Sequence, residues 1–116
     1  MPRKPATAST GLAVRGRAAV PPTAYARLVL DVVDRIQRGK VVTYGDVAEM
    51  LGRGSPRAVG TVLTNHGREV PWQRVVQASG RPAEPFLHEA LRLLAAEGCP
   101  IRGERVDLAV ARWDGR

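Results

Sequence analysis

The chain has 116 residues, enough for one modest core and one domain. Its 18 Lys and Arg residues against 11 Asp and Glu give a formal charge of +7, and all the cations except Lys4 and Lys40 are arginines. One cysteine (Cys99) excludes an internal disulfide framework, and together with two separated histidines it makes no metal-ligand cluster. No apolar run approaches the roughly 20 residues of a bilayer span, and no apolar stretch follows the basic N-terminus as in a signal peptide. A reducing cytosolic setting fits, and the expectation is a monomer with no metal, cofactor or membrane partner. A small Arg-rich domain points first to nucleic acid, since Arg suits phosphates and guanine edges. A merely Arg-rich composition is the alternative.

Residues 1–22 are rich in Pro, Ala, Thr and Gly without sustained periodicity, and are read as a flexible basic arm. The domain is expected over 23–116. Thr23 is a plausible N-cap, and Tyr25, Leu28, Val29, Val32, Val33 and Ile36 recur at helical spacing, predicting a helix over 24–38 stopped by Gly39. Thr43-Tyr44-Gly45-Asp46 has capping-box spacing and opens a short helix whose inner face is Val47, Ala48, Met50 and Leu51. Ser55 can cap a second helix with Pro56 at its first position, running to about Gly67. Two short helices around Gly52-Arg53-Gly54 make a helix-turn-helix, with Ala48, Val59, Val62 and Leu63 packing the pair. Ala58, Gly60 and Thr61 leave the second helix smooth, which suits close approach to another surface. A generic helical hairpin is the alternative.

Beyond it, Val75-Val76-Gln77, the turn Ala78-Ser79-Gly80 and Arg81 suggest a small β-hairpin or wing. Pro82 and Pro85 force an irregular loop, and Phe86 to Ala95 mark a last helix over 86–97. Residues 105–113 alternate as in a short strand or extended tail. The fold class read from this pattern is mainly α, a winged helix-turn-helix-like DNA-binding domain. Within it Pro71-Trp72-Gln73-Arg74-Val75-Val76 stands out. On its residues alone, Trp72 is either a buried core indole or the flat wall of a binding pocket.

Three motifs now lie in order: Gly39-Lys40-Val41-Val42-Thr43-Tyr44, Arg57-Ala58-Val59-Gly60 and Pro71-Trp72-Gln73-Arg74-Val75. From about Lys40 to Val76 the chain resembles the C-terminal DNA-binding domain of the O6-alkylguanine-DNA alkyltransferases. Those enzymes carry a nucleophilic Cys and an activating His where this chain has Trp72 and Gln73. An indole is no thiolate and an amide is no base, so alkyl transfer at this position is excluded. Such a replacement marks the alkyltransferase-like proteins, which bind alkylated guanine without repairing it.

The resemblance implies a role for each matching residue. Arg57 enters the duplex through the minor groove, fills the space left by an everted base and pairs with the orphaned cytosine. Tyr44 presses on the neighbouring phosphate. Trp72, with Val75 and Tyr44, walls the lesion pocket. Thr43 and Ser55, at the starts of the two helices, are counted with the DNA-binding residues. Arg74 is expected to brace the fold from inside. Arg81 either reaches the base or its phosphate from the wing, or is a solvated loop residue. Lys40, Arg53 and Arg68 are candidate phosphate contacts on charge and placement.

The function implied is non-enzymatic recognition of O6-alkylguanine in double-stranded DNA, with the lesion passed to nucleotide excision repair proteins. Two alternatives stand beside it. One is an alkyltransferase with a displaced nucleophile, for which Cys99 is the candidate. The other is a sequence-specific helix-turn-helix regulator. Against the latter, the second helix offers Ala, Val, Gly and Thr where a base reader usually shows Arg, Asn or Gln.

Overall fold

The computed structural model describes residues 22–116. The arm over 1–22 therefore lies, except for Pro22, outside the described residues. The described chain is mainly helical, with two short two-stranded sheets.

Helix α1 spans Ala24–Arg35 and starts where the Thr23 hydroxyl accepts the Ala26 N–H at 3.0 Å. It ends three residues before the expected stop. Ile36 leaves helical geometry, sinks into the core at 2% exposure, and its carbonyl accepts Arg74 Nη1 at 2.7 Å. A distant guanidinium thus takes a carbonyl at the helix end, and Gly39 falls in the connection that follows.

Strand β1 (Val42–Thr43) leads directly into α2 (Tyr44–Leu51). The capping box forms in full: Thr43 Oγ1 accepts the Asp46 N–H and Asp46 Oδ2 accepts the Thr43 N–H, both at 3.0 Å. Of the expected inner face, Val47 and Ala48 are buried and Leu51 packs partly buried against the core, whereas Met50 is 41% exposed. Helix α3 (Pro56–His66) is capped by Ser55, whose hydroxyl accepts the Ala58 N–H at 3.1 Å. Helices α2 and α3 pack closely together, with α1 against both. Ala48, Val59 and Val62 are buried between the elements, with Leu63 partly buried against the same cluster.

The turn joining α2 and α3 is held by α1. Tyr25 Oη donates to the Arg53 carbonyl at 3.3 Å, and the Arg53 guanidinium lies 5.7 Å from the Tyr25 ring centre. Gly54 sits against that ring at φ +84°, where a Cβ would overlap the phenol.

After α3 come two 3-10 turns, Gly67–Glu69 and Trp72–Arg74, and then strand β2 (Val75–Val76). Here the structure corrects a sequence expectation. Strand β2 is not one arm of a hairpin; it pairs in parallel with β1, Val42 with Val75 and Thr43 with Val76. The turn 77–81 does close, through Gln77 N–H to the Arg81 carbonyl at 2.9 Å. Pro82 then has no N–H with which to extend a ladder, and it is fully buried.

Helix α4 spans Leu87–Ala96. The antiparallel hairpin lies after it, β3 (Ile101–Arg102) with β4 (Arg105–Val106). Residues 105–113 are also corrected: β4 is followed by a helical turn, α5 (Leu108–Ala111), because the Asp107 carboxylate accepts the Ala109 N–H at 3.1 Å and starts a helix. The tail then bridges Val41, and Trp113 closes the core at 6% exposure. Among the described residues no helix is long and apolar enough to cross a membrane.

Candidate nucleic-acid interface

The parallel pairing of β1 and β2 decides what stands beside what. Tyr44 follows the C-terminal end of β1 and Gln77 the C-terminal end of β2, so both emerge on the same side. There they line an open cleft of about 760 Å³. Thr43 and Gly45 flank Tyr44 in its wall, and Ala78 and Ala83 accompany Gln77. The third wall is one face of α3, formed by Pro56, Arg57, Gly60, Thr61, Thr64 and Asn65.

Three of the expected residues therefore meet in one cleft: Thr43, Tyr44 and Arg57. Arg57 is exposed in the first turn of α3, and among the described residues no ion pair reaches its guanidinium. The Tyr44 phenol is neutral near pH 7, and burial pushes its pKa further above the ordinary value. A neutral donor can approach a phosphate without charge repulsion, and Arg57 supplies the positive charge. Thr43 is 4% exposed and its hydroxyl is committed to the capping box.

The other expected residues lie elsewhere. Ser55 precedes the cleft wall and its hydroxyl is committed to the α3 cap. Val75 is corrected: at 2% exposure it belongs to the core cluster beneath the cleft and presents no wall to a ligand. Lys40 is also outside the cleft, with Nζ donating to the Val110 carbonyl at 3.4 Å on the C-terminal side of the molecule. Arg81 is half-buried and ion-paired to Glu84 at 3.0 Å and Glu104 at 3.3 Å, tying the 77–81 turn to the tip of the β3–β4 hairpin.

Trp72 lies at the other end of β2, three residues before it, and does not line the cleft. It is half-buried, with the Phe86 ring edge-on at 5.9 Å between centres. Beside it, Gln73 Nε2 donates to Glu97 Oε2 at 2.7 Å. Arg74 reaches the same carboxylate with Nε at 3.0 Å and Nη2 at 3.1 Å, and the Gly39 N–H adds a bond at 3.1 Å. Burial alone would raise the Glu97 carboxyl, but these bonds and the Arg74 charge outweigh it and hold the pKa below its usual value. Arg74 is the internal brace that its sequence position suggested.

Cys99 is 6% exposed, and burial together with the Glu97 charge pushes its thiol up against the opposing pull of Lys40. A buried neutral thiol is a poor nucleophile. Among the described residues no group of three or more His, Cys, Asp and Glu side chains could hold a metal ion.

Sequence reasoning missed Thr64, Asn65 and Gln77 as cleft residues. Thr64 was within reach, since Arg57, Gly60 or Thr61 and Thr64 recur at helical spacing on one side of α3. Gln77 was not, because its placement depends on the parallel register.

The family model for the DNA-binding domain of 6-O-methylguanine DNA methyltransferase matches residues 24–99. A DNA base-flipping protein of Escherichia coli is 39% identical over 98 residues, covering 78% of this chain and 74% of that protein. The chain belongs to this alkyltransferase family, as one of its alkyltransferase-like members. The Schizosaccharomyces pombe member Atl1, solved with damaged DNA containing O6-carboxymethylguanine, superposes with a TM-score of 0.72 at 25% identity, covering 82% of this chain and 99% of that one. A methylated-DNA–protein-cysteine methyltransferase of Methanothermobacter thermautotrophicus is 36% identical over 71% of this chain, which spans only 48% of that longer relative.

Proposed function

We propose that this chain recognises O6-alkylguanine in duplex DNA without repairing it. The minor groove seats on the cleft wall of α3, where Gly60 and Thr61 allow close approach. Arg57 enters the stack in place of the everted guanine, and Tyr44 supports the neighbouring phosphate. Eversion costs a few kcal/mol, so a cation that fills the gap lowers the penalty. The lesion base turns toward Trp72, where the family's enzymes carry their cysteine. Neither Trp72 nor the bonded amide of Gln73 can accept an alkyl group, and the complex is handed to nucleotide excision repair proteins. The protein works as a monomer on nucleoid DNA in the cytoplasm.

The observation that carries this reading is an exposed Arg57 at the cleft, free of ion pairs among the described residues, in a chain that has Trp72 and the Glu97-bonded Gln73 at the reactive positions of the family's enzymes. The likeness to a base-flipping protein and to a protein solved on O6-carboxymethylguanine DNA supports it. Binding isotherms on matched duplexes with and without one O6-methylguanine test it. Tighter binding to the lesion duplex is expected, with both affinities falling as salt rises. Equal affinity for the two duplexes would overturn it.

A further inference from the structure

The β3–β4 hairpin has two unlike faces. Ile101 stands opposite Val106, and Arg102 stands opposite Arg105. Side chains alternate along a strand, so the two pairs face opposite ways. Val106 is buried in the core cluster that also holds Val41, Val76 and Leu94, and Ile101 packs partly buried against it. The two arginines therefore turn outward. Like charges directly opposite each other destabilise a strand pair, and little here offsets them. Arg102 is 86% exposed and reaches Asp107 only at 3.9 Å, while Arg105 is exposed with no ion pair among the described residues. Glu104, between them, is turned to Arg81 at 3.3 Å. The hairpin is also fixed to the rim of the cleft. The Val106 N–H donates to the Gly80 carbonyl at 2.8 Å, and Gly80, at φ +90°, lies so close to the Val106 carbonyl that a Cβ would overlap it. The turn that makes these contacts carries Gln77 and Ala78 in the cleft wall.

We propose that the β3–β4 hairpin is a second contact surface for duplex DNA, on which Arg102 and Arg105 bind backbone phosphates at the Gln77 side of the cleft. This rests on the DNA-recognition reading above and extends it from the everted base to the flanking duplex. Phosphate contacts position a protein without reading bases, so the hairpin raises affinity for damaged and undamaged DNA alike. A polyanion held against the two guanidinium groups also relieves their mutual repulsion.

The test uses the full chain, matched duplexes carrying O6-methylguanine or guanine, and a series of salt concentrations. The double variant Arg102→Gln/Arg105→Gln is expected to lose affinity for both duplexes by the same factor. Its plot of log affinity against log salt becomes shallower by up to about 1.8, the counterion release of two phosphates. The ratio of lesion to undamaged binding stays at the wild-type value. Arg102→Lys/Arg105→Lys keeps the wild-type slope, because counterion release follows charge. Arg35→Gln/Arg38→Gln, which removes the same charge from residues outside the cleft lining, serves as the control. The thermal midpoint of the hairpin variant holds or rises, since two opposed cations are gone. If the hairpin variant matches the control in affinity and slope while the wild type still prefers the lesion, the hairpin contact is wrong and the recognition reading stands. If the wild type binds both duplexes equally, the recognition reading fails, and the slopes still decide the hairpin. A wild type that binds neither duplex overturns both.

Discussion

Arg57 and Arg74 stand at opposite ends of one short stretch of chain, and their surroundings are opposites. Arg74 has its guanidinium bonded to both oxygens of Glu97 and to the Ile36 carbonyl, with its side chain 14% exposed. Arg57 is exposed on the first turn of α3 with no ion pair among the described residues. A guanidinium whose donors are satisfied inside the protein holds elements together. One left in water beside a cleft retains its hydrogen-bonding capacity for a partner. The difference separates what builds this domain from what the domain presents.

The comparison breaks most visibly at the internal site. Glu97→Ala strands the Arg74 charge in a mostly buried position and removes the acceptor of Gln73. Losing one partner of such a pair is expected to cost about 3 kcal/mol of stability. Chemical denaturation measures it, and a loss no larger than that of an exposed pair would show that the network is not a brace. Arg57→Ala should do the reverse. It leaves the denaturation midpoint in place and weakens lesion binding by about 2 kcal/mol, the size of an interface hot spot. A titration with the O6-methylguanine duplex checks this, and unchanged affinity removes the finger from the account.

Acid gives a smaller, graded effect. The Glu97 carboxyl has its folded pKa held below the unfolded value, so its stabilisation is complete above the unfolded pKa and disappears as pH falls through the folded one. Asp46 behaves likewise: burial raises it, but bonds from Arg112 and Thr43 together with the Arg112 charge lower it further. Stability should therefore fall as pH drops below about 4, the ordinary range of a free carboxyl. Glu97→Gln should flatten part of that fall, with the Asp46 share remaining. Denaturation midpoints across the acid range provide the measurement, and identical slopes for the two proteins would contradict it.

The sequence was most legible where the physics is local. Thr23, the Thr43–Asp46 box and Ser55 with Pro56 each start a helix within a few residues of their own signal, and all three helices begin where these residues place them. The motif order also pointed to the family before any coordinates. Long-range effects were hidden. Val75-Val76 reads as a hairpin arm because its true partner, Val42-Thr43, lies on the far side of two helices. The early end of α1 depends on Arg74, 38 residues beyond Ile36. The position of Trp72 relative to the cleft follows from the same parallel register, and its contact with Phe86 crosses a proline-containing loop that no periodicity describes.

The central claim is recognition without transfer, and one mixture tests it directly. The full chain is incubated with a duplex carrying O6-methylguanine, the complex is isolated, and the intact protein mass and the modified base are both measured. The account predicts a stable complex, a protein of unchanged mass and O6-methylguanine recovered intact from the DNA. A protein heavier by one methyl group, on Cys99 or any other residue, with guanine restored in the duplex, would contradict it.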